Sequence, residues 1–139
     1  MTARSPEERT QLVTYLADRI GTTAKALVGD MPFEMLAVVN GGALKGAVLL
    51  INFRRQSIEL HCAGAPGWLT RANLRDIFDV VFNRLGCLVA RGVTQRKNKK
   101  ARRLNEKLGF KVVGVLDDEF GLHKDGILYA MRKQDCRWI

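Results

Sequence analysis

Val93-Thr94-Gln95-Arg96-Lys97-Asn98-Lys99-Lys100-Ala101-Arg102-Arg103-Leu104-Asn105-Glu106-Lys107-Leu108-Gly109-Phe110 reads as the end of a strand, a short loop, a helix and the start of another strand. Ala101, Leu104 and Leu108 recur at i, i+3 and i+7, one apolar stripe on the helical period. Asn98 is placed to cap this helix, and Gly109 to stop it before a strand beginning at Phe110. Lys99, Lys100, Arg102 and Arg103 crowd its first turns, where the macrodipole already carries positive charge and carboxylates are the usual occupants. Cations at a helix N-terminus make sense beside an anion, because the two together form an anion site. The competing reading is a solvated basic face, which is what most charge runs are.

Outward from this segment, the charge thins quickly. The chain has 139 residues and a net charge of +9. Seven of its 23 basic residues lie between Arg91 and Arg103 with no acid among them, which leaves 16 bases against 14 acids elsewhere. The basicity is therefore local, and favours one anion-binding region over a generally cationic surface. Aromatic residues make up 7% of the chain and none falls in the basic run, which argues against a stacking platform for single-stranded nucleic acid.

The length fits one domain spanning residues 1–139, with ~65–70% of its surface buried on folding. No apolar run approaches a membrane span, and the polar opening Met1-Thr2-Ala3-Arg4-Ser5-Pro6 lacks a signal-peptide core. Cys62, Cys87 and Cys136 are odd in number and widely spaced, so neither a disulfide framework nor a zinc knuckle is expected. Two histidines, His61 and His123, make a multi-histidine metal site unexpected. A reduced, cytoplasmic protein without a membrane partner follows.

Ser5-Pro6-Glu7-Glu8 carries an N-cap, a proline at the first helical position and a capping-box glutamate. Leu12, Leu16 and Ile20 extend the pattern, so the N-terminal helix of residues 1–30 is expected to run to about Val28. Strands are expected at Phe33 to Asn40, Ala43 to Phe53 and Ser57 to Ala63, with Asn40-Gly41-Gly42 as a hairpin turn. Thr70 caps a helix whose Leu74, Ile77, Phe78, Val81, Phe82 and Leu85 hold a 3.6 period to Gly86. Strands at Cys87 to Thr94, Phe110 to Leu116 and Gly126 to Lys133 complete the chain. Hairpins mixed with helical crossovers give an α+β class around a mixed sheet. The crossover helix requires the Ser57 to Ala63 and Cys87 to Thr94 strands to be parallel.

In wording, the chain resembles the Gcn5-related N-acetyltransferase (GNAT) family. The resemblance rests on Asn98-x-x-Ala101, on Glu106-Lys107-Leu108-Gly109-Phe110 with Gly114, on Phe82-x-x-Leu85-Gly86 and on Tyr129-Ala130-Met131. It is closest in character to the branch that includes protein N-terminal acetyltransferases, ribosomal-protein ones among them, and Cys136-Arg137-Trp138 resembles short members found in phage genomes. It runs from about Phe33 to the end, and the first helix is atypical.

This resemblance implies a single-domain fold with two splayed parallel strands, acetyl-CoA as co-substrate, and transfer of the acetyl group to an amine, of a protein rather than a drug. It places the pantetheine arm between Leu60, Cys62 and Ala63 and the end of the Cys87 to Thr94 strand, with Asn98 touching it. It puts Lys99 and Ala101 also in the cofactor site, and supplies the CoA phosphates as the anion for part of the basic cluster. The pyrophosphate falls on Gly67, Trp68, Leu69, Thr70 and Arg71. The loop Ala65-Pro66-Gly67-Trp68-Leu69-Thr70 matches none of the specified positions of the family's Gln/Arg-x-x-Gly-x-Gly/Ala pattern. Asn105 stands where a tyrosine acid is common, leaving Tyr129, water or an unassisted thiolate.

For the base, Glu59 and His61 alternate with Ile58, Leu60 and Cys62 and so share one face of their strand. A carboxylate and an imidazole two residues apart can work as a pair, since imidazole titrates near neutral pH. They can equally decorate a solvated face. Cys62, alternating with apolar residues, reads as a small core residue. Two other readings remain open: a nucleic-acid-associated protein using residues 91–103, and a catalytically silent interaction domain.

Overall fold

The computed structural model describes residues 5–139. Of the polar opening, Met1 to Arg4 lie outside the described residues. Six strands form one sheet: β1 (Phe33–Asn40), β2 (Ala43–Arg54), β3 (Ser57–Gly64), β4 (Val89–Gln95), β5 (Lys111–Leu116) and β6 (Gly126–Arg132). Their order is β1-β2-β3-β4-β6-β5, and every neighbouring pair is antiparallel except β3 with β4. The parallel pair is the one the crossover helix demands, and the α+β class holds.

Strand alternation sends side chains to two faces, and each face has its own core. On one, Leu12, Val13 and Leu16 of α1 (Pro6–Ile20) cover Met35, Ala47, Leu49 and Ile51. On the other, α3 (Arg71–Asp79) and α4 (Lys99–Leu108) set Leu74, Phe78 and Leu108 against Leu36, Val48, Leu50 and Ile58. No helix among the described residues is long and apolar enough to cross a membrane.

The caps are where the sequence places them. Ser5 accepts from the Glu8 amide, Thr70 from Asn73 and Asn98 from Ala101, each at 3.1 Å. Gly109 ends α4 with φ at +107°, a conformation that a side chain resists. Gly41 and Gly42 turn the β1–β2 hairpin with φ of +60° and +79°.

Two expectations fail. The N-terminal helix does not run to Val28: it stops at Ile20, where Gly21 turns left-handed, and α2 (Ala24–Val28) restarts under a Thr23 cap. Gly21 and Thr23 are stop and start signals that the i+4 repeat of Leu12, Leu16 and Ile20 overrode. The second concerns α3, which continues as a π-helical turn, Val80–Arg84, with the Leu85 amide reaching the Val80 carbonyl at 2.8 Å. A wider turn shifts every later residue around the axis, so Leu85 leaves the apolar stripe and is exposed.

Candidate active site

The β3–β4 ladder is short. Ser57, Ile58 and Glu59 pair with Val89, Ala90 and Arg91, and there the register ends, although β3 continues to Gly64 and β4 to Gln95. The strands part from Leu60 and Gly92 onward. Their facing edges then carry backbone N–H and C=O groups without a neighbouring strand, and such groups take a partner wherever one is offered. An extended chain that carries amide groups can pair with such edges.

Glu59 and His61 stand at the mouth of the opening, on the face that α1 covers further along. His61 Nε2 lies 2.8 Å from Glu59 Oε2, and both side chains are 24% exposed, so a reactant can reach them. The hydrogen bond to His61 is the main influence holding the Glu59 carboxyl below its usual range. Burial opposes it, and the His61 and Arg91 charges and an Asn52 hydrogen bond add to it. An ionised carboxylate only accepts, so Nε2 is the protonated nitrogen and Nδ1 is left as the basic one. A pair so arranged can take up a proton at the outer nitrogen. Because the Glu59 shift is downward, its contribution to stability is present above the unfolded-state carboxylate pKa and fades as pH falls through the folded value.

Leu60 and Cys62 face the α3 side. Leu60 packs against that core, but Cys62 does not join it: its side chain is exposed, correcting the small-core-residue reading. Alternation with apolar residues placed it on the correct face, but the parting of β4 leaves that face uncovered at Cys62. Water reaches the thiol while protein crowds around it, and that surrounding pushes its pKa up to about 11. It is therefore a thiol at neutral pH. Alkylation of Cys62 by iodoacetamide should be slow at pH 7 and accelerate ~10-fold per pH unit up to about pH 10. Mass spectrometry against a Cys62→Ser control reads this; a rate that levels off near pH 8 contradicts it.

Ala63 turns to the α1 side and packs there. Gly46 and Gly64 are opposite one another, and the Trp68 ring lies flat on both: a Cβ added at Gly46 would meet it at 2.1 Å and one at Gly64 at 2.6 Å. Trp68 is thus a packed plug for the β2–β3 end. Its amide donates to the Ala65 carbonyl at 3.2 Å, and Asn73 Nδ2 donates to its own carbonyl at 2.7 Å. Gly67, at φ +77°, turns the chain into this corner. The amides of Leu69, Thr70 and Arg71 form the approach to the N-terminus of α3, where helix geometry leaves donors free for an anion.

The basic run does not stay together. Arg91 points to the α1 side and donates to the Asn52 carbonyl at 3.3 Å. Arg96 pairs with Asp125 at 3.7 Å, and Arg102 is tied to the Tyr129 hydroxyl and the Arg96 carbonyl, each at 3.2 Å. Lys97, Lys99, Lys100 and Arg103 remain at the surface around the start of α4, with no carboxylate within 4.0 Å among the described residues. Asn98 and Ala101 bond to each other as cap and capped amide. Asn105 donates to Thr94 Oγ1 at 2.8 Å, and Tyr129 is fully buried. Neither is presented to the opening as an acid. The sequence reading missed Arg91 and Asn52 as neighbours of Glu59, because a charge run in the sequence says nothing about which face of a strand each member takes.

No family model matches this sequence, and no curated protein matches it. Solved structures do. A spermidine N-acetyltransferase SpeG chimera from Vibrio cholerae and hSSAT is 25% identical over 73% of this chain and 68% of its own, with a TM-score of 0.64. The SpeG F149A mutant from Vibrio cholerae is 18% identical over 95% of this chain and 94% of its own, with a TM-score of 0.74. A protein assigned to the GNAT acetyltransferase family from Desulfovibrio desulfuricans is 19% identical over 95% and 96%, with a TM-score of 0.73.

Proposed function

We propose that this chain, a Gcn5-related N-acetyltransferase by fold, is an enzyme that moves the acetyl group of acetyl-CoA to an amine, with a protein amine as the acceptor. The observation that carries this is the hydrogen-bonded Glu59–His61 pair at the point where β3 and β4 part. The backbone of Leu60, Cys62 and Ala63 would hold the pantetheine arm. Gly67, Trp68, Leu69, Thr70 and Arg71 would shape the pyrophosphate site, and Asn98, Lys99 and Ala101 the flank at α4.

An amine arrives mostly as ammonium and cannot attack until it loses a proton. His61 Nδ1 takes that proton, with Glu59 holding the opposite nitrogen and stabilising the imidazolium. The freed lone pair forms the C–N bond to the acetyl carbonyl and the C–S bond breaks. A second proton, from the same nitrogen, ends on the departing thiolate by way of water, since neither Asn105 nor Tyr129 is presented to it. The proton on His61 returns to solvent, which balances the reaction.

The protein acceptor rests on the resemblance to protein N-terminal acetyltransferases and on Arg91, a cation beside Glu59 that disfavours a polycation there. A cytoplasmic location suits three free cysteines. The test is a thermal shift. Acetyl-CoA at a hundred times its Kd should stabilise the native state by about 2.7 kcal/mol, by mass action. No shift with millimolar acetyl-CoA, alongside a shift with duplex DNA or transfer RNA, overturns the reading.

A further inference from the structure

We infer that Arg91 and Asn52 are positioning residues that orient Glu59 and His61 so that His61 Nδ1 is the basic atom. The inference gives the acetyl-transfer reading its second layer and rests on that reading for its catalytic consequence. Arg91 is the register partner of Glu59 across the last rung of the β3–β4 ladder. Its Nη2 donates to the Asn52 carbonyl at 3.3 Å, and its Nε is buried with no hydrogen-bond partner. Asn52 itself is left-handed, at φ +57°, where β2 loses register with β3 between Ile51 and Arg54. That irregularity turns the Asn52 carbonyl toward Arg91 and its side chain toward Arg54 and Glu59.

The result is a fixed positive charge near the carboxylate. No ion pair closer than 4.0 Å forms between Arg91 and Glu59, which leaves the carboxylate oxygen free to accept from His61. A tight Arg91–Glu59 bridge would compete for that oxygen, whereas a guanidinium held back by Asn52 polarises the site without displacing the imidazole. The same charge favours the ionised form of the Glu59 carboxyl, the form that accepts from His61. Across the sheet, β2 and β6 add no charge beside these groups, where Leu49, Ile51 and Ala130 are the register partners of His61, Glu59 and Arg91. From α1, Tyr15, with Arg19 stacked on its ring, packs into the core on this face. From the loop before β6, Glu119 sits near Gly126, further along β4.

Imidazole NMR of the whole unliganded protein tests this without any substrate. The chain has two histidines, so a His123→Asn variant assigns the spectrum. His61 in the wild type should be the Nε2–H tautomer at pH 8. Arg91→Met should raise the Glu59 carboxyl titration, read by side-chain carboxyl NMR, while Arg91→Lys, which keeps the charge, should leave it near the wild-type value. Asn52→Gly, which suits the left-handed φ and keeps the backbone acceptor, should raise the Glu59 carboxyl titration. An Nδ1–H tautomer in the wild type, or an unmoved Glu59 titration in folded Arg91→Met, overturns the inference. Should Arg91→Met not fold, the wild-type tautomer and the Asn52→Gly titration still decide. Absence of acetyl-CoA binding would instead remove the acetyl-transfer reading and leave these titrations as they stand.

Discussion

His61→Ala should lower kcat by ~10²-fold or more at neutral pH and leave the Kd for acetyl-CoA nearly unchanged. The imidazole has one nitrogen on Glu59 and the other open to a proton, and among the described residues no hydrogen bond ties it to the backbone that the cofactor arm would use. Glu59→Gln should cost nearly as much for a different reason. A glutamine can present its amide N–H to Nε2, which favours the Nδ1–H tautomer and leaves the basic nitrogen facing the wrong way. The two effects should not add, because the residues act as one unit. Steady-state rates with a panel of peptide and polyamine acceptors, together with acetyl-CoA binding by calorimetry, check this. If both variants keep the wild-type rate and pH profile, the base lies elsewhere or water suffices.

Gly46→Val should destabilise the fold by about 3 kcal/mol, at the upper end of what overpacking a core costs. The new Cβ would enter the Trp68 ring at 2.1 Å, and the ring is held in place by Asn73 at its carbonyl and by Gly64 on its other contact. Since the obstacle is a side chain, Trp68→Ala in the same chain should recover part of the loss, a coupling of ~1–3 kcal/mol in a double-mutant cycle. Gly64→Val gives the contrast. Its Cβ would meet the Lys45 carbonyl at 2.5 Å as well as the ring, so removing Trp68 should not rescue it. Denaturant melts of the three single and two double variants read these energies. Additive losses for Gly46→Val and Trp68→Ala would show that the ring is not seated on that glycine.

The Trp68 corner also shows how far a family pattern carries. A small residue is expected in that loop so that backbone can approach phosphate. Here the bulk of Trp68 is turned away from the N-terminus of α3 and onto two glycines of the sheet. The amides of Leu69 to Arg71 remain at the approach to the helix. The small residues that the loop lacks are found instead at Gly46 and Gly64, across from one another on β2 and β3.

What the sequence by itself determined is local. The caps at Ser5, Thr70 and Asn98, the Gly41-Gly42 turn, the Gly109 stop and the alternation of Glu59 and His61 depend on residues a few positions apart. Short-range hydrogen bonds and steric limits on φ fix such features wherever the chain goes. The parallel pairing of β3 and β4 was also legible, because a helical crossover of that length permits little else. What only the tertiary structure decided depends on neighbours distant in sequence. The ladder ends at Glu59 and Arg91, so Cys62 is exposed despite its apolar alternation. The seven cations of one run divide between the α1 side of β4, a salt bridge with Asp125, the Tyr129 hydroxyl and the surface at the start of α4. Arg91 and Asn52 meet beside Glu59 although 39 residues separate them, because cross-strand register is a property of the assembled sheet. Burial and charge at a site are sums over whatever the fold brings near, and no stretch of sequence contains that sum.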